Sequence, residues 1–216
     1  MNIESRQGLP ILDMEGFCLR RIQLDDAIEW ARFEMLPEVG RYTSFTVRSS
    51  ADLVPLIERD GAPGPGGLLN FAVWEAAGSQ LAGVVGFHSI SKLNLSAEVS
   101  YSIHPRFWGK GLATASVQAA VRWGFASRSW SRVQGTSLPE NVASRRVLDK
   151  AGFSYEGRLR NLRVVRGVVR DYLLYSIIPS VQTPAGSPDA GTPAAITREA
   201  QEDPRACEPS AGTARG

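Results

Sequence analysis

The chain is short of the residues that bind metals or cross-link a fold. Among its 216 residues there are two cysteines and two histidines. Cys18 and Cys207 lie far apart, and no CxxC pair or Cys/His cluster occurs, so neither a disulfide framework nor a metal site is expected. Long apolar runs are missing too: none approaches the roughly 18 residues that a membrane helix needs. The first twenty residues lack a charged start followed by an apolar stretch, so no signal peptide is expected and the reading is cytoplasmic. An excess of one charge is also absent. Lys+Arg 24 against Asp+Glu 22 leaves +2, too little to argue for a specific nucleic-acid partner. Lysine occurs only at 92, 110 and 150, which reads first as a codon-composition effect.

What is present is ordinary for a globular protein: 43% hydrophobic and 21% charged residues. The length suits one domain with a core that needs no staple, plus a tail. Composition shifts at Pro179. Residues 179–216 hold six of the 13 prolines, no aromatic residue, and only Val181 and Ile196 as branched apolars. Such a segment cannot bury enough apolar surface to offset its ordering entropy, so it is expected to be disordered. It carries three Arg against five acids, −2, which leaves +4 on the rest. The expected division is an N-terminal extension over 1–15, a folded domain over 16–178 and the tail over 179–216.

Within the folded part, strands and helices interleave. Strands are predicted over Phe17–Ile22, Asn70–Ala76, Leu81–Ile90, Ala97–Ile103, Arg132–Ser137, Phe153–Val165 and Val169–Ile178. Helices are predicted from Asp25 to Met35, over 51–60, over 112–126 and over Asn141–Ala151, the last stopped by Gly152. GAPGPGGL, 61–68, reads as a mobile loop. Ala97–Ile103 alternates, with Ala97, Val99, Tyr101 and Ile103 on one face and Glu98, Ser100 and Ser102 on the other. The pattern predicts a mixed α/β (α+β) domain with a twisted central sheet and flanking helices.

The most informative stretch is Arg106–Thr114, RFWGKGLAT, between a strand ending near Ile103 and a helix beginning near Leu112. Gly109 and Gly111 let backbone N–H groups turn outward, and the helix start adds partial positive charge. Together they make a phosphate cradle, with Arg106 and Lys110 as rim charges. A tight turn that holds nothing is the alternative. It is not a P-loop, because Lys110 is followed by Gly111, nor GxGxxG, because Thr114 stands where the third glycine is needed. No GxSxG elbow exists.

RFWGKGLAT resembles the (Q/R)xxGxG/A signature of the GNAT N-acetyltransferase superfamily. Downstream, Asn141 and Ser144, then Leu148, Lys150, Gly152 and Phe153, then Glu156-Gly157, resemble NxxSxxxLxKxGFxxEG, and Asp171–Tyr175 is similar to that pattern's ending. The set looks like the RimJ/RimL branch, which includes ribosomal-protein N-terminal acetyltransferases, and covers roughly 16–178. The resemblance implies a mostly antiparallel sheet with splayed middle strands and acetyl-CoA as co-substrate. Its pyrophosphate would sit on Arg106, Phe107, Trp108, Gly109, Lys110, Gly111, Leu112, Ala113 and Thr114. Its pantetheine arm would pair with Tyr101, Ser102 and Ile103, and Asn141 would touch that arm while capping its helix.

The implied reaction is direct attack of a primary amine on the thioester. An α-amine near pKa 7.7–8.0 needs less help to deprotonate than a lysine amine near 10.4. Leu148 stands where many superfamily members place an acidic Tyr, so Ser144 is the candidate hydroxyl for the CoA thiolate, with a helix-surface Ser as the bland reading. Glu98 is the candidate base, against an exposed strand carboxylate paired with an Arg. Arg163 stands where some relatives carry a carboxylate, and Ala115 where an acid usually follows the signature. The acceptor is expected to be a protein N-terminus. A small-molecule amine (an aminoglycoside or polyamine) and a non-catalytic acyl-CoA sensor stay open, as do monomer and homodimer. Arg158, Arg160, Arg163, Arg166 and Arg170 read as a solvated strand edge. His88 reads as a strand residue, His104 as part of a chain turn, and Trp108 as packing beneath the loop.

Overall fold

Both faces of the central sheet must be covered, because its middle strands are apolar almost without break. The structure, a computed structural model, describes residues 8–60, 67–77 and 79–179. The expected disordered tail from 180 onward, most of the expected mobile loop (61–66) and residues 1–7 lie outside the described residues.

Seven strands form one sheet: β1 (Phe17–Arg21), β2 (Gly67–Glu75), β3 (Gln80–Ser91), β4 (Ser96–Ile103), β5 (Arg132–Ser137), β6 (Ser154–Val165) and β7 (Val168–Ile177). Their order is β1-β2-β3-β4-β5-β7-β6. All neighbours are antiparallel except β4 and β5. Those two pair only over Ser96↔Arg132, Ala97↔Val133 and Glu98↔Gln134, although β4 continues to Ile103 and β5 to Ser137. The sheet therefore opens into a wedge just past Glu98. This is the mixed α/β architecture with splayed middle strands that the resemblance implied.

One face carries α4 (Leu112–Arg128) and α5 (Val142–Lys150). Val85 and Phe87 of β3 and Ala97 and Val99 of β4 meet Val117, Ala120 and Val121 there. Phe71, Phe87, Trp123 and Trp130 pack edge to face beside them. Residues 8–15 also lie against this core: Leu12 is buried in it, and the Trp123 indole donates to the Gly8 carbonyl at 2.9 Å. The opposite face is covered by α1 (Asp26–Glu34), α2 (Pro37–Gly40) and α3 (Val54–Glu58). Trp30, Phe33, Val39, Leu53 and Ile57 pack there on Ala72, Leu81 and Val84.

The elements differ from the sequence reading in three places. The expected helix over 51–60 is a 3₁₀ turn at Ser50–Asp52 followed by the short α3, with Pro55 in its first turn, where a missing N–H costs nothing. The four-residue α2 was not anticipated. Gly67 and Leu68, read as loop, begin β2. The β6–β7 turn at Arg166-Gly167 has both residues at positive φ, 49° and 78°, which matches the hairpin twist.

Candidate active site

The wedge between β4 and β5 widens into a cavity of ≈ 560 Å³, within the usual range for a small-molecule site. One end is floored by the turn into α4. Gly109 and Gly111 have φ of 76° and 81°, and a Cβ built on either would meet nothing within 4 Å. Their bareness thus leaves open approach to the backbone rather than easing a crowded turn. The first backbone bond of α4 runs from the Ala115 N–H to the Gly111 carbonyl at 3.0 Å, and no side chain caps the helix. The N–H groups from Gly109 to Thr114 have no acceptor among the described residues. A row of outward donors at a positive helix end is chemically matched to a pyrophosphate.

The neighbouring side chains settle into different roles. Phe107 and Leu112 are buried beneath the turn. Trp108 is 49% exposed, and its indole donates to the Ile103 carbonyl at 2.6 Å, tying the loop to the end of β4 rather than filling space beneath it. Arg106 and Lys110 are not on the cavity wall. The Arg106 guanidinium donates to the Gln80 amide oxygen at 3.2 Å, and the Lys110 ammonium lies 5.6 Å from the Phe107 ring centroid. This end of the cavity is therefore built of backbone, Ala113, Thr114 and the near side of α5, where Arg146 and Lys150 also line it.

In the middle of the wedge, β4 and α5 meet. The Asn141 side-chain Oδ1 accepts from the Ser144 N–H at 3.1 Å, so the helix-cap reading holds, and Asn141 also lines the cavity. The Tyr101 and Ser144 hydroxyls are 2.8 Å apart, and the Tyr101 hydroxyl also reaches the Ser144 carbonyl at 3.1 Å. Burial pushes the Tyr101 phenol well above its ordinary range, so it stays a neutral donor. Ser102 and Ile103 follow along β4. Beyond Glu98 the β5-facing backbone of β4 has no strand partner, which leaves an edge for an extended arm to pair with. The arrangement fits acetyl-CoA: backbone donors for the pyrophosphate, a free strand edge for the pantetheine, and a hydroxyl pair beside it for the sulfur.

The other end of the cavity is walled by α2, the loop after it, and the β6–β7 hairpin, with Glu98 at its base. Glu98 is on the polar face of β4 as expected, yet only 5% exposed, because Arg163 and the elements above close over it. Its carboxylate accepts from the Thr136 hydroxyl at 2.6 Å, the Arg163 guanidinium at 2.8 Å and the Gln134 amide at 3.3 Å. Burial alone would raise its pKa, but the bonds from Thr136 and Arg163 and the nearby His88 hold it below the ordinary carboxylate value. His88, paired with Glu98 across β3 and β4, lines the same cavity with its Nε2 3.9 Å from the carboxylate. Burial holds the imidazole below its usual pKa, and the Arg163 charge adds to that against the pull of Glu98.

Two sequence expectations change here. Arg163 is not a solvated edge charge, and Arg166, although exposed, is bonded to another element. Arg163 pairs with Glu98, and Arg166 donates to the carbonyls of Gly40 and Thr43, fastening the hairpin to the end of α2 and the loop after it. His88, read only as a strand residue, is a wall of the site. The missed signal was its register: His88 sits opposite Glu98 only once the hairpin joining β3 and β4 is aligned, and that hairpin contains an irregularity between His88 and Ser91.

Comparison with known proteins points the same way. Residues 17–154 match the family model described as "Acetyltransferase (GNAT) domain". The chain is 30% identical over 172 residues to the uncharacterized N-acetyltransferase YoaA of Bacillus subtilis, covering 78% of this chain and 97% of that protein. It is 26% identical over 120 residues to the [ribosomal protein uS5]-alanine N-acetyltransferase of Escherichia coli, covering 55% of this chain and 62% of that enzyme. Mycobacterium smegmatis RimJ, solved in complex with CoA-disulfide, shares the fold with a TM-score of 0.66 at 24% identity, over 75% of this chain and 81% of that one. Since the matched span includes the wedge, the glycine turn and the Tyr101–Ser144 contact, the chain belongs to the GNAT acetyltransferase family and is an acetyl-CoA-dependent N-acetyltransferase.

Proposed function

We propose that the acceptor is a protein N-terminal α-amine, of the kind the uS5-alanine relative acetylates. The charge balance of the acceptor end carries this reading. Its wall holds two carboxylates, Glu38 and Glu98, and two guanidiniums, Arg41 and Arg163, and Glu98 is spent on Arg163. A polyamine carries several positive charges and needs surplus acid along its length. A peptide N-terminus carries one, loses it easily near neutral pH, and continues as a neutral backbone. Tyr42, Phe45 and Tyr172 supply apolar surface for a first side chain.

In this reading, the N–H groups of Gly109–Thr114 hold the pyrophosphate and the free edge of β4 holds the arm. The unpaired β4 backbone offers an N–H to the thioester oxygen as it gains charge. Ser144, polarised by Tyr101, supplies the hydrogen bond or proton that the departing thiolate needs, and Glu98 keeps the acceptor end electrostatically ordered.

The test is mass spectrometry of hexapeptides with free N-terminal Ala or Ser, spermidine and kanamycin, each incubated with the protein and acetyl-CoA. Acetyl gain on the peptide α-amine is expected. Transfer to spermidine or kanamycin alone overturns the acceptor assignment, and tight CoA binding without any transfer supports a sensor.

A further inference from the structure

Glu98 is poorly placed to act as a base. Its carboxylate accepts from three donors, one of them the guanidinium of Arg163, and taking a proton would break the bonds from Thr136 and Arg163 that hold it. An ion-paired carboxylate of depressed basicity gains little from accepting the proton of an ammonium. Beside it stands an imidazole with no such burden. His88 side-chain atoms are 29% exposed against 7% for Glu98, and its Nδ1 lies 3.0 Å from the Ser89 hydroxyl. In the tautomer whose Nδ1–H donates to the Ser89 hydroxyl, the Nε2 lone pair is left next to Glu98 on the wall of the cavity.

We propose that His88 is the proton acceptor for the attacking amine, and that Glu98, fixed by Arg163 and Thr136, is its counter-charge. The groups that face His88 set its two states. Arg163 from β6 disfavours a charged imidazole at rest and keeps it available. Once Nε2 takes a proton, Glu98 from β4 is 3.9 Å away to stabilise the imidazolium. Glu98 therefore contributes more to the protonated state than to the resting one, as a buried carboxylate does for a catalytic histidine elsewhere.

The proton count closes. An ammonium acceptor has three hydrogens on nitrogen. One passes to His88 Nε2 and then to water. The freed lone pair forms the new C–N bond, the C–S bond breaks, and its electron pair leaves on sulfur. A second hydrogen leaves the nitrogen as the amide forms and passes through solvent to the Ser144–Tyr101 hydroxyls, replacing the proton they give to the thiolate, which ends as a thiol. The third stays on the amide.

This inference rests on the amine-acetyltransferase reading, and its test separates the two. The chain has two histidines, so His88→Gln identifies the His88 ring signals in an NMR titration of the full-length protein. Kinetics use the same panel of Ala and Ser peptides, spermidine and kanamycin. His88→Gln is expected to lower kcat at least about 100-fold with little change in the KM for acetyl-CoA, and to abolish the acidic limb of the pH profile. In Glu98→Gln the ring midpoint and the kinetic limb should both move to lower pH together. A His88→Gln variant within threefold of wild type, or a ring midpoint indifferent to Glu98→Gln, overturns the proposal. If the wild type acetylates none of the panel, the acceptor reading fails, and the titration alone then decides whether His88 and Glu98 are coupled.

Discussion

The hydroxyls of Tyr101 on β4 and Ser144 on α5 lie 2.8 Å apart, across 43 positions of sequence. The contact bridges β4 and α5, which both line the cavity in the wedge. Tyr101→Phe should keep the ring packing and lose the hydroxyl partner of Ser144. The expected result is a kcat about tenfold lower, a KM for acetyl-CoA within about twofold, and a stability loss of about 1 kcal/mol. Ser144→Ala should reproduce the kinetic defect; an unchanged rate would return Ser144 to a purely structural role at its helix start.

Gly109→Asp and Gly111→Asp place a carboxylate where the bare backbone faces outward. Neither Cβ meets a neighbour within 4 Å, so both variants should fold, with the cost of a left-handed conformation that Asp tolerates better than most residues. Calorimetry should show acetyl-CoA affinity reduced at least about 100-fold by charge repulsion with the pyrophosphate. Wild-type affinity in both would remove the glycine turn from the binding site.

Trp108→Phe isolates the indole bond to the Ile103 carbonyl. Since the side chain is 49% exposed, stability should fall by no more than about 1 kcal/mol. The loop should loosen from β4, and the KM for acetyl-CoA should rise about fivefold at similar kcat.

Two carboxylates give opposite pH dependences. Hydrogen bonds from Arg132 and then Ser176 pull Glu156 down to about 2. Its folded form binds the proton less readily than the unfolded chain, so its contribution is present above about pH 4.3 and is lost as pH falls toward 2. Because the pair is exposed, Glu156→Gln should cost at most about 1 kcal/mol at pH 7 and flatten the acid limb of a denaturant series. Glu34 is the reverse. It is 4% exposed, one oxygen lacks a partner, and burial raises its pKa. Its ionised form disfavours folding, so stability falls as pH rises through its folded pKa, and Glu34→Gln should raise the Tm at pH 8 more than at pH 4.

The parts of the site that were legible in the sequence are those built from contiguous chain. The strand, glycine turn and helix around Gly109 and Gly111 lie within a dozen residues, and Asn141 caps the very helix it begins. What escaped was assembled across strands. Glu98 on β4 and Arg163 on β6 meet although β5 and β7 stand between their strands in the sheet, and nothing near either residue announces that pairing. Arg163 and Arg166 carry the composition of a solvated hairpin and take up other work once it is placed. The helix α2 has four residues, too few to show a period, and Pro55 breaks what looked like one helix over 51–60.

Arg166 reaches back 126 positions to the Gly40 carbonyl and 123 to Thr43. Contacts of such span close large loops and form late, and a chain emerging from the ribosome has its N-terminal part free to fold first. On the proposed reading, the backbone cradle and the thiol end are finished by α5, whereas the acceptor wall waits for the hairpin that ends at Ile177. During synthesis this enzyme should therefore acquire a place for its acetyl donor before it acquires a place for anything to receive the acetyl group.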